Sequence, residues 1–404
     1  MSVEPRLRHS RRHTPPSIVT LVLLSGVSAL CMNVFLPSLP NMTEYFGTEY
    51  RVMQLSVALF LACSAVLQLV IGPLADKWGR RPVILGGLGL FALATLGCIL
   101  APTAEIFLTF RMGQAVIAVA MVLSRAAVRD QYSQDQAASM LGYVTMGIAV
   151  IPMIGPAIGG MLDELFGWQA NFWLLLGLGL GGLALAWFDF GETATASGLS
   201  LLQQFRQYPE LLRSPRFWGY SLASAFSSGA FFAFLGGAPF VGTDVYDLAP
   251  GRLGFYFGIP AIGYFLGNFL SGRFAARVGA NRMILAGGLS LGAGIAMALL
   301  ANLTGQSSAE AFFFFMAFIG IGNGLANPSA MAGSMSVRPH LAGTAAGLSG
   351  AIMLGGGAGF SALAGAMLTP ESGALPLLIL MLVTSVLCVA SILMVIARDR
   401  QIGL

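Results

Sequence analysis

Long apolar runs alternate with short polar stretches from one end of the chain to the other, and twelve of the runs are long enough to cross a bilayer. A bilayer core takes roughly 20 helical residues to span. In lipid a backbone must satisfy its own hydrogen bonds, so runs of this length are predicted to be helices. The first six are Ser17–Leu39, Val52–Ala75, Pro82–Ala101, Glu105–Val128, Ala137–Leu162 and Gln169–Phe188. The second six are Pro215–Phe240, Leu253–Ala275, Arg282–Leu300, Ala309–Met335, Ala342–Leu368 and Gly373–Ile396. The connections are short, and the longest runs from Asp189 to Ser214 in mid-chain. None can hold a soluble catalytic domain.

Composition agrees with the pattern. Of 404 residues, 56% are hydrophobic and 9% charged, against roughly 25% charged in a soluble domain. The expected fold is all-α and polytopic, with twelve transmembrane helices in two six-helix bundles. The predicted organisation is a tail over 1–16, a bundle over 17–190, a central loop over 191–214, a second bundle over 215–397 and a tail over 398–404. Basic residues set the orientation. Arg6, Arg8, Arg11 and Arg12 precede the first run, and Lys77, Arg80, Arg81, Arg129, Arg206, Arg213, Arg273, Arg277 and Arg338 fall in or beside alternate loops. Both termini and the central loop are therefore expected in the cytoplasm. The net charge of +4 reads as a topology signal and not as nucleic-acid binding. The first run is too long for a signal-peptide core and reads as an uncleaved span. Cys31, Cys63, Cys98 and Cys388 all fall within predicted spans, without metal or disulfide spacing.

One stretch concentrates charge: Gly72-Pro-Leu-Ala-Asp-Lys-Trp-Gly-Arg-Arg-Pro82, between spans two and three. Its glycines suit a tight turn and close helix approach. Asp76 can cap a neighbouring helix N-terminus, and Arg80 and Arg81 can pair with acids on other helix ends. A faded copy lies 200 residues later, where Gly272, Ala275, Gly279, Ile284 and Leu285 repeat Gly72, Ala75, Gly79, Ile84 and Leu85. The same offset carries Gly147, Gly155 and Gly159 onto Gly347, Gly355 and Gly359. The chain thus reads as two duplicated halves, the architecture of alternating-access transporters.

The stretch Gly-x-Leu-Ala-Asp-Lys-x-Gly-Arg-Arg resembles the loop motif of the major facilitator superfamily, and the resemblance covers all twelve spans. Asn33-Val-Phe-Leu-Pro-Ser-Leu-Pro40, Arg111-Met-Gly-Gln114, Arg125-Ala-Ala-Val-Arg-Asp130, Gly155-Pro-Ala-Ile-Gly-Gly160 and Asn327-Pro-Ser-Ala330 make it similar to the bicyclomycin/chloramphenicol-resistance branch of the drug:proton antiporters. The resemblance implies that Asp76 caps span eleven near Ala342–Thr344 in the outward-facing state, and that Arg80 pairs with Asp130. Gly72, Asp76, Gly79, Arg80, Arg81 and Asp130 would then form a cytoplasmic latch. Ala276 and Ala280 hold the matching places in the second half, so the latch would be one-sided. The resemblance also assigns antiporter-type gating to span five. There Gly147, Gly155, Gly159 and Gly160 form a small-residue face toward helix one, and Pro152 and Pro156 can flex the helix. Ordinary close packing explains the same residues.

Arg111 is the most exposed expectation. An arginine near mid-membrane costs roughly 2.5–3.5 kcal/mol on insertion scales, so it faces the bundle interior. Gln114 shares its face at i+3, and Arg125 returns to that face fourteen residues on. One reading puts Arg111 in a substrate cavity; the other ties it structurally to backbone groups of helix one. Tyr264 with Asn268, and Asn323 with Asn327, are i, i+4 pairs, and Phe231 with Phe232 lies in span seven. They suit an apolar cavity with a few polar contacts, or act as glue between helices.

The branch usually carries an aspartate where this chain has Asn33, which hydrogen-bonds but cannot titrate. No other carboxylate lies at a span centre. Coupling then falls to an end-of-helix acid such as Glu105, to a more peripheral acid, or to none. Without a central acid, neutral or amphiphilic solutes are favoured over cations. The expectation is an exporter of small amphiphilic drugs or metabolites, working by proton antiport from a bacterial inner membrane. The alternatives are a dedicated metabolite, amino-acid or siderophore exporter, or a facilitator without proton coupling. The chain has no nucleophile, metal cluster or paired carboxylates at membrane depth, so no enzyme activity, cofactor or metal is expected. Its expected partners are a small-molecule substrate, protons and the bilayer, with no nucleic acid, and it is expected to act as a monomer.

Overall fold

The computed structural model describes residues 16–131, 151, 154–193, 201–369 and 371–401. Among these, eleven helices are long and apolar enough to cross a membrane. They are α1 (Ile18–Tyr45), α2 (Tyr50–Trp78), α3 (Arg80–Ile99), α4 (Ala104–Val128), α6 (Gln169–Asp189), α7 (Pro215–Val245), α8 (Pro250–Val278), α9 (Ala280–Leu303), α10 (Ala309–Ser336), α11 (Pro339–Met367) and α12 (Leu375–Gln401). Between α4 and α6, residues 154–166 form the described part of α5.

Local chemistry sets the helix ends and breaks. Ser17, Thr103, Ser214 and Ser308 cap α1, α4, α7 and α10, each hydroxyl accepting a backbone N–H of the first turn. The first apolar run predicts a helix stopping at Leu39. Instead α1 continues to Tyr45 through a 3₁₀ turn at Leu36–Ser38, with Pro37 and Pro40 at first-turn positions. Proline lacks the N–H that a continuous helix needs but fits where a new turn begins. The central loop also holds a connecting helix, Leu201–Leu212, which accommodates Pro209 near its end.

The repeat is visible in the backbone. Gly79 ends α2 at φ 95° and ψ 148°, and Gly279 ends α8 at φ 89° and ψ 148°. At positive φ a Cβ is strained, so the same turn requires glycine in both copies. Each half is a bundle of its own: α3 packs on α6 and α1 on α4, while α8 and α9 pack on α10 and α7 on α12. Between the halves α2 lies along α11. The symmetry-related contact joins α5 to α8, where a Cβ on Gly254 would meet the Pro156 carbonyl. Leu93, Leu100, Trp173, Phe269, Phe314 and Val386 stand exposed on the outer faces, as a lipid-facing surface requires.

The helix bundle has two ends. One carries the Gly72–Pro82 turn and the connecting helix, and is called the loop end below. The other, where α2 begins, is the far end.

Candidate functional site

A cavity of about 300 Å³ lies between the halves, at the lower end of the volumes typical of small-molecule sites. One half lines it from α1, α2, α4 and α5, the other from α7, α8, α10 and α11. Its walls are largely apolar, with Met32, Met121, Phe231, Phe232, Met353 and Leu354 among them. Polar groups come from Asn33, Ser64, Gln68, Arg125, Tyr264, Asn323 and Asn327. Among the described lining residues there is no carboxylate, and Arg125 is the sole formal charge.

The sequence candidates divide. Asn33, Phe231, Tyr264, Asn323 and Asn327 line the cavity. Asn323 also donates to the Ser227 and Ile319 carbonyls and accepts from Asn327 at 2.8 Å. Asn327 donates to Ser228 and accepts from Ser224. This pair therefore ties α10 to α7 and also lines the cavity. Asn33 donates back to the Ala29 carbonyl of its own helix at 3.0 Å. Asn268 is outside the lining and donates to the Tyr264 carbonyl at 2.8 Å.

Arg111 and Gln114 also stand outside the lining. Arg111 is 1% exposed. Its guanidinium donates to the Cys31 carbonyl at 3.0 Å, the Ser56 carbonyl at 3.3 Å and Gln114 Oε1 at 2.7 Å. The rings of Phe35 and Phe60 lie over it, each 4.3 Å from centroid to guanidinium. Gln114 passes the network on to Thr95 of α3 at 2.8 Å. Cys31 sits in the last turn of the first segment of α1, where helix carbonyls lack an in-helix donor. Arg111 thus closes a broken helix end and binds four helices together. The expectation of a cavity residue gives way to the structural alternative. The reason is depth: fourteen residues separate it from Arg125, about 21 Å along a helix, and α1, α2 and α4 pack tightly at its level.

Arg125 was placed by the sequence on the face of Arg111 but not named as a cavity residue. It is exposed, and it lines the cavity. The signal was present: its register with Arg111 gives the shared face, and the fourteen-residue spacing places it toward the other end of α4. Gln68 was missed as well; its buried Oε1 has no hydrogen-bond partner among the described residues.

At the far end, four hydrogen bonds join the halves. Tyr50 donates to the Gly236 carbonyl at 2.8 Å, Gln54 donates to the carbonyl and hydroxyl of Ser361 at 2.6 and 2.7 Å, and Glu164 accepts the Gly251 N–H at 2.8 Å. Glu164 thereby places a negative charge at the positive N-terminus of α8. Asp163 beside it is 6% exposed and accepts from Asn41 at 2.9 Å. The small-residue face of α5 allows this closure. Gly155 meets Leu30, and Gly159 lies so close to α1 that the Val34 carbonyl occupies the place of a Cβ. Gly160 faces the Pro250 carbonyl in the same way, and Pro156 lines the cavity. Gly147 and Pro152 lie outside the described residues.

At the loop end, Asp76 lies 4.0 Å from Arg80 of the following turn. Thr344 of α11 instead donates to Gln207 of the connecting helix at 3.0 Å. The cap of span eleven by Asp76 is therefore absent from this conformation. The side chain of Asp130 lies outside the described residues. An unexpected acid organises the turn: Glu192 accepts the N–H groups of Arg80 and Arg81 at 2.9 and 3.3 Å, capping α3. Arg81 reaches the Trp187 carbonyl at 2.8 Å, while Gly72 has open space beside it. In the second half Asp399 accepts from the Asn281 side chain at 2.9 Å and pairs with Arg216 at 2.7 Å, binding side chains and not the helix N-terminus.

A profile of the Major Facilitator Superfamily matches residues 21–362. The chain is 32% identical to the chloramphenicol resistance protein of Pseudomonas aeruginosa over 80% of its own length and 78% of the relative's. It is 29% identical to a bicyclomycin resistance protein homolog of Haemophilus influenzae (strain ATCC 51907 / DSM 11121 / KW20 / Rd), over 87% and 89% of the two chains. Among solved structures, a bacterial homolog to the human lysosomal transporter Spinster, inward-facing and occupied, superposes with a TM-score of 0.72 at 19% identity, covering 95% of this chain and 96% of that one.

Proposed function

The chain belongs to the major facilitator superfamily, and from that premise we propose that it exports small amphiphilic molecules across a bacterial inner membrane by alternating access. The observation that carries the proposal is the cavity: an apolar chamber of about 300 Å³ with a few polar groups, held between two pseudo-symmetric halves. A site shared by both halves changes its exposure when they rock against each other. The names of the relatives, which refer to chloramphenicol and bicyclomycin resistance, support drugs as cargo.

The loop end, with its basic residues, is the cytoplasmic side in this proposal. The hydrogen bonds at the far end and the unformed Asp76 cap then correspond to an inward-facing state. Export runs by release of the far-end contacts, closure of the loop end around Asp76 and Thr344, and discharge of cargo outside.

Proton antiport is the proposed driving force, with its acid outside the cavity. Glu105 is exposed and is not among the lining residues. Asp163 is buried and adjoins Glu164, which holds α8 of the other half. Protonation of this pair from the outside weakens the far-end seal. The cavity's lack of a carboxylate among its described lining equally supports a second reading, a facilitator without proton coupling.

The test is accumulation of chloramphenicol in a hypersensitive host with and without the protein, before and after a protonophore. Lower accumulation with the protein, abolished by the protonophore, is the expected result. Retained downhill flux without uphill transport points to the facilitator. Unchanged accumulation across a panel of amphiphilic compounds overturns the export reading.

A further inference from the structure

Two arginines share one face of α4, and their surroundings differ completely. Arg111 is saturated by carbonyls, an amide and two aromatic rings. Arg125 makes no hydrogen bond or ion pair with any described residue, and its exposed surface belongs to the cavity wall. An arginine near the centre of a membrane helix carries a cost of roughly 2.5–3.5 kcal/mol; Arg111 lies at such a depth, while Arg125 sits three residues from the end of α4. Arg111 recovers that cost through protein contacts, whereas Arg125 is left for whatever enters the cavity.

A second donor lies across from it. Tyr264 of α8 lines the same cavity within electrostatic reach of Arg125, and its hydroxyl has no partner among the described residues. Its backbone carbonyl is engaged by Asn268, but its phenol is free to donate. The guanidinium belongs to one half and the phenol to the other. Between them lie no lining carboxylates among the described residues. The apolar walls formed by Met121, Phe231, Phe232, Met353 and Leu354 offer space for a hydrophobic body beside the two donors.

We infer that Arg125 and Tyr264 form an anion subsite that selects amphiphiles bearing a carboxylate, the carboxylate bridging the two halves while its apolar body rests on the Met and Phe walls. A carboxylate suits this pair because guanidinium binds it with charge-assisted, paired hydrogen bonds, and the phenol supplies a third donor. A cation in the same place would face Arg125 with no acid among the described lining residues to offset it. A ligand held by both halves also draws α4 toward α8, which is the motion needed to occlude the cavity. The inference rests on the exporter reading and names its preferred cargo; its own test reads binding, and the accumulation assay above reads export.

The test uses the purified full chain in nanodiscs, with naphthaleneacetate and its neutral isostere naphthaleneacetamide as probes, followed by tryptophan fluorescence or calorimetry. The acid is expected to bind about tenfold more tightly than the amide, as one charge-assisted contact gives. Arg125→Met and Tyr264→Phe should each abolish most of that preference while leaving amide binding within about twofold. Arg125→Lys, which keeps the charge without the planar fork, should retain part of it. Should Arg125→Met fail to fold, the Arg125→Lys and Tyr264→Phe proteins and the wild-type acid-to-amide ratio still decide the matter. Equal affinity for acid and amide in the wild-type protein overturns the inference, as does an equal loss of both ligands in the variants. An amide that is bound and exported without any preference for the acid sinks only the anion subsite and leaves export standing. Failure of every compound to be exported sinks the exporter reading, whatever the binding ratio.

Discussion

Replacing Arg111 by alanine should cost the protein its fold before it costs it any ligand. The guanidinium holds Cys31 O, Ser56 O and Gln114 Oε1, and two phenylalanine rings sandwich it. Truncation leaves Gln114 Oε1 buried without its donor, a loss of about 1–3 kcal/mol. Each aromatic face contributes about 0.5–2 kcal/mol to a desolvated cation. The void left among α1, α2 and α4 adds a packing penalty of the kind that makes large-to-small core changes cost about 2–5 kcal/mol. Removing a buried charge returns part of this, because its desolvation cost disappears too. A net loss of about 3–5 kcal/mol is the expectation, in line with the most damaging core substitutions. The assay is the thermal midpoint of the purified protein in detergent, together with the monodisperse fraction after extraction. Arg111→Met, which fills most of the volume, should lie between alanine and the native residue. The measurement that refutes this reasoning is an Arg111→Ala protein as stable as the parent but with altered ligand affinity, since that would return Arg111 to the cavity.

Other substitutions test separate parts of the structure. Gly159→Ala places a methyl where the Val34 carbonyl stands, and neither backbone can yield cheaply, so the yield of folded protein should collapse. Glu164→Gln keeps the hydrogen bond to Gly251 but removes the charge at the start of α8. It should move the halves toward the open far end by about 0.3–1 kcal/mol, read as a changed distance distribution between spin labels on α5 and α8; an unaltered distribution counts against a gating role. Glu192→Ala uncaps α3 by removing the acceptor for two N–H groups. About 0.5–2 kcal/mol of stability should be lost, and the thermal midpoint measures it.

Much of the fold was legible because lipid restricts the choices. A long apolar run in a membrane has helix as its stable form, and the spacing of charge marks the turns. The repeat was legible for a similar reason: Gly79 and Gly279 adopt a backbone that other residues resist. What escaped were contacts between distant parts of the chain. Glu192 caps a helix that begins 112 residues earlier, and no local pattern announces such a pairing. Arg111 and Arg125 share a helical face, and the fourteen residues between them already set them at different depths, but which depth meets the cavity depends on the packing of the other helices. The connecting helix was hidden by its short, mixed sequence, in which Pro209 argues against a helix that the last turn nonetheless accommodates. Asn323 and Asn327 show why single roles are hard to assign from sequence. An amide has two donors and two acceptor sites, enough to brace α7 and still face the cavity.

The two glycine turns also bear on how the halves came to differ. Gly79 and Gly279 trace nearly the same path in space, yet the side chains around them have diverged, with Asp76 and Arg80 in one copy and Ala276 and Ala280 in the other. The two segments share one backbone shape and carry the charged side chains on one side only. Asymmetry in this protein is therefore written in side chains laid over a common backbone, and it is reversible in principle. An aspartate at position 276 would find a turn already built to carry it.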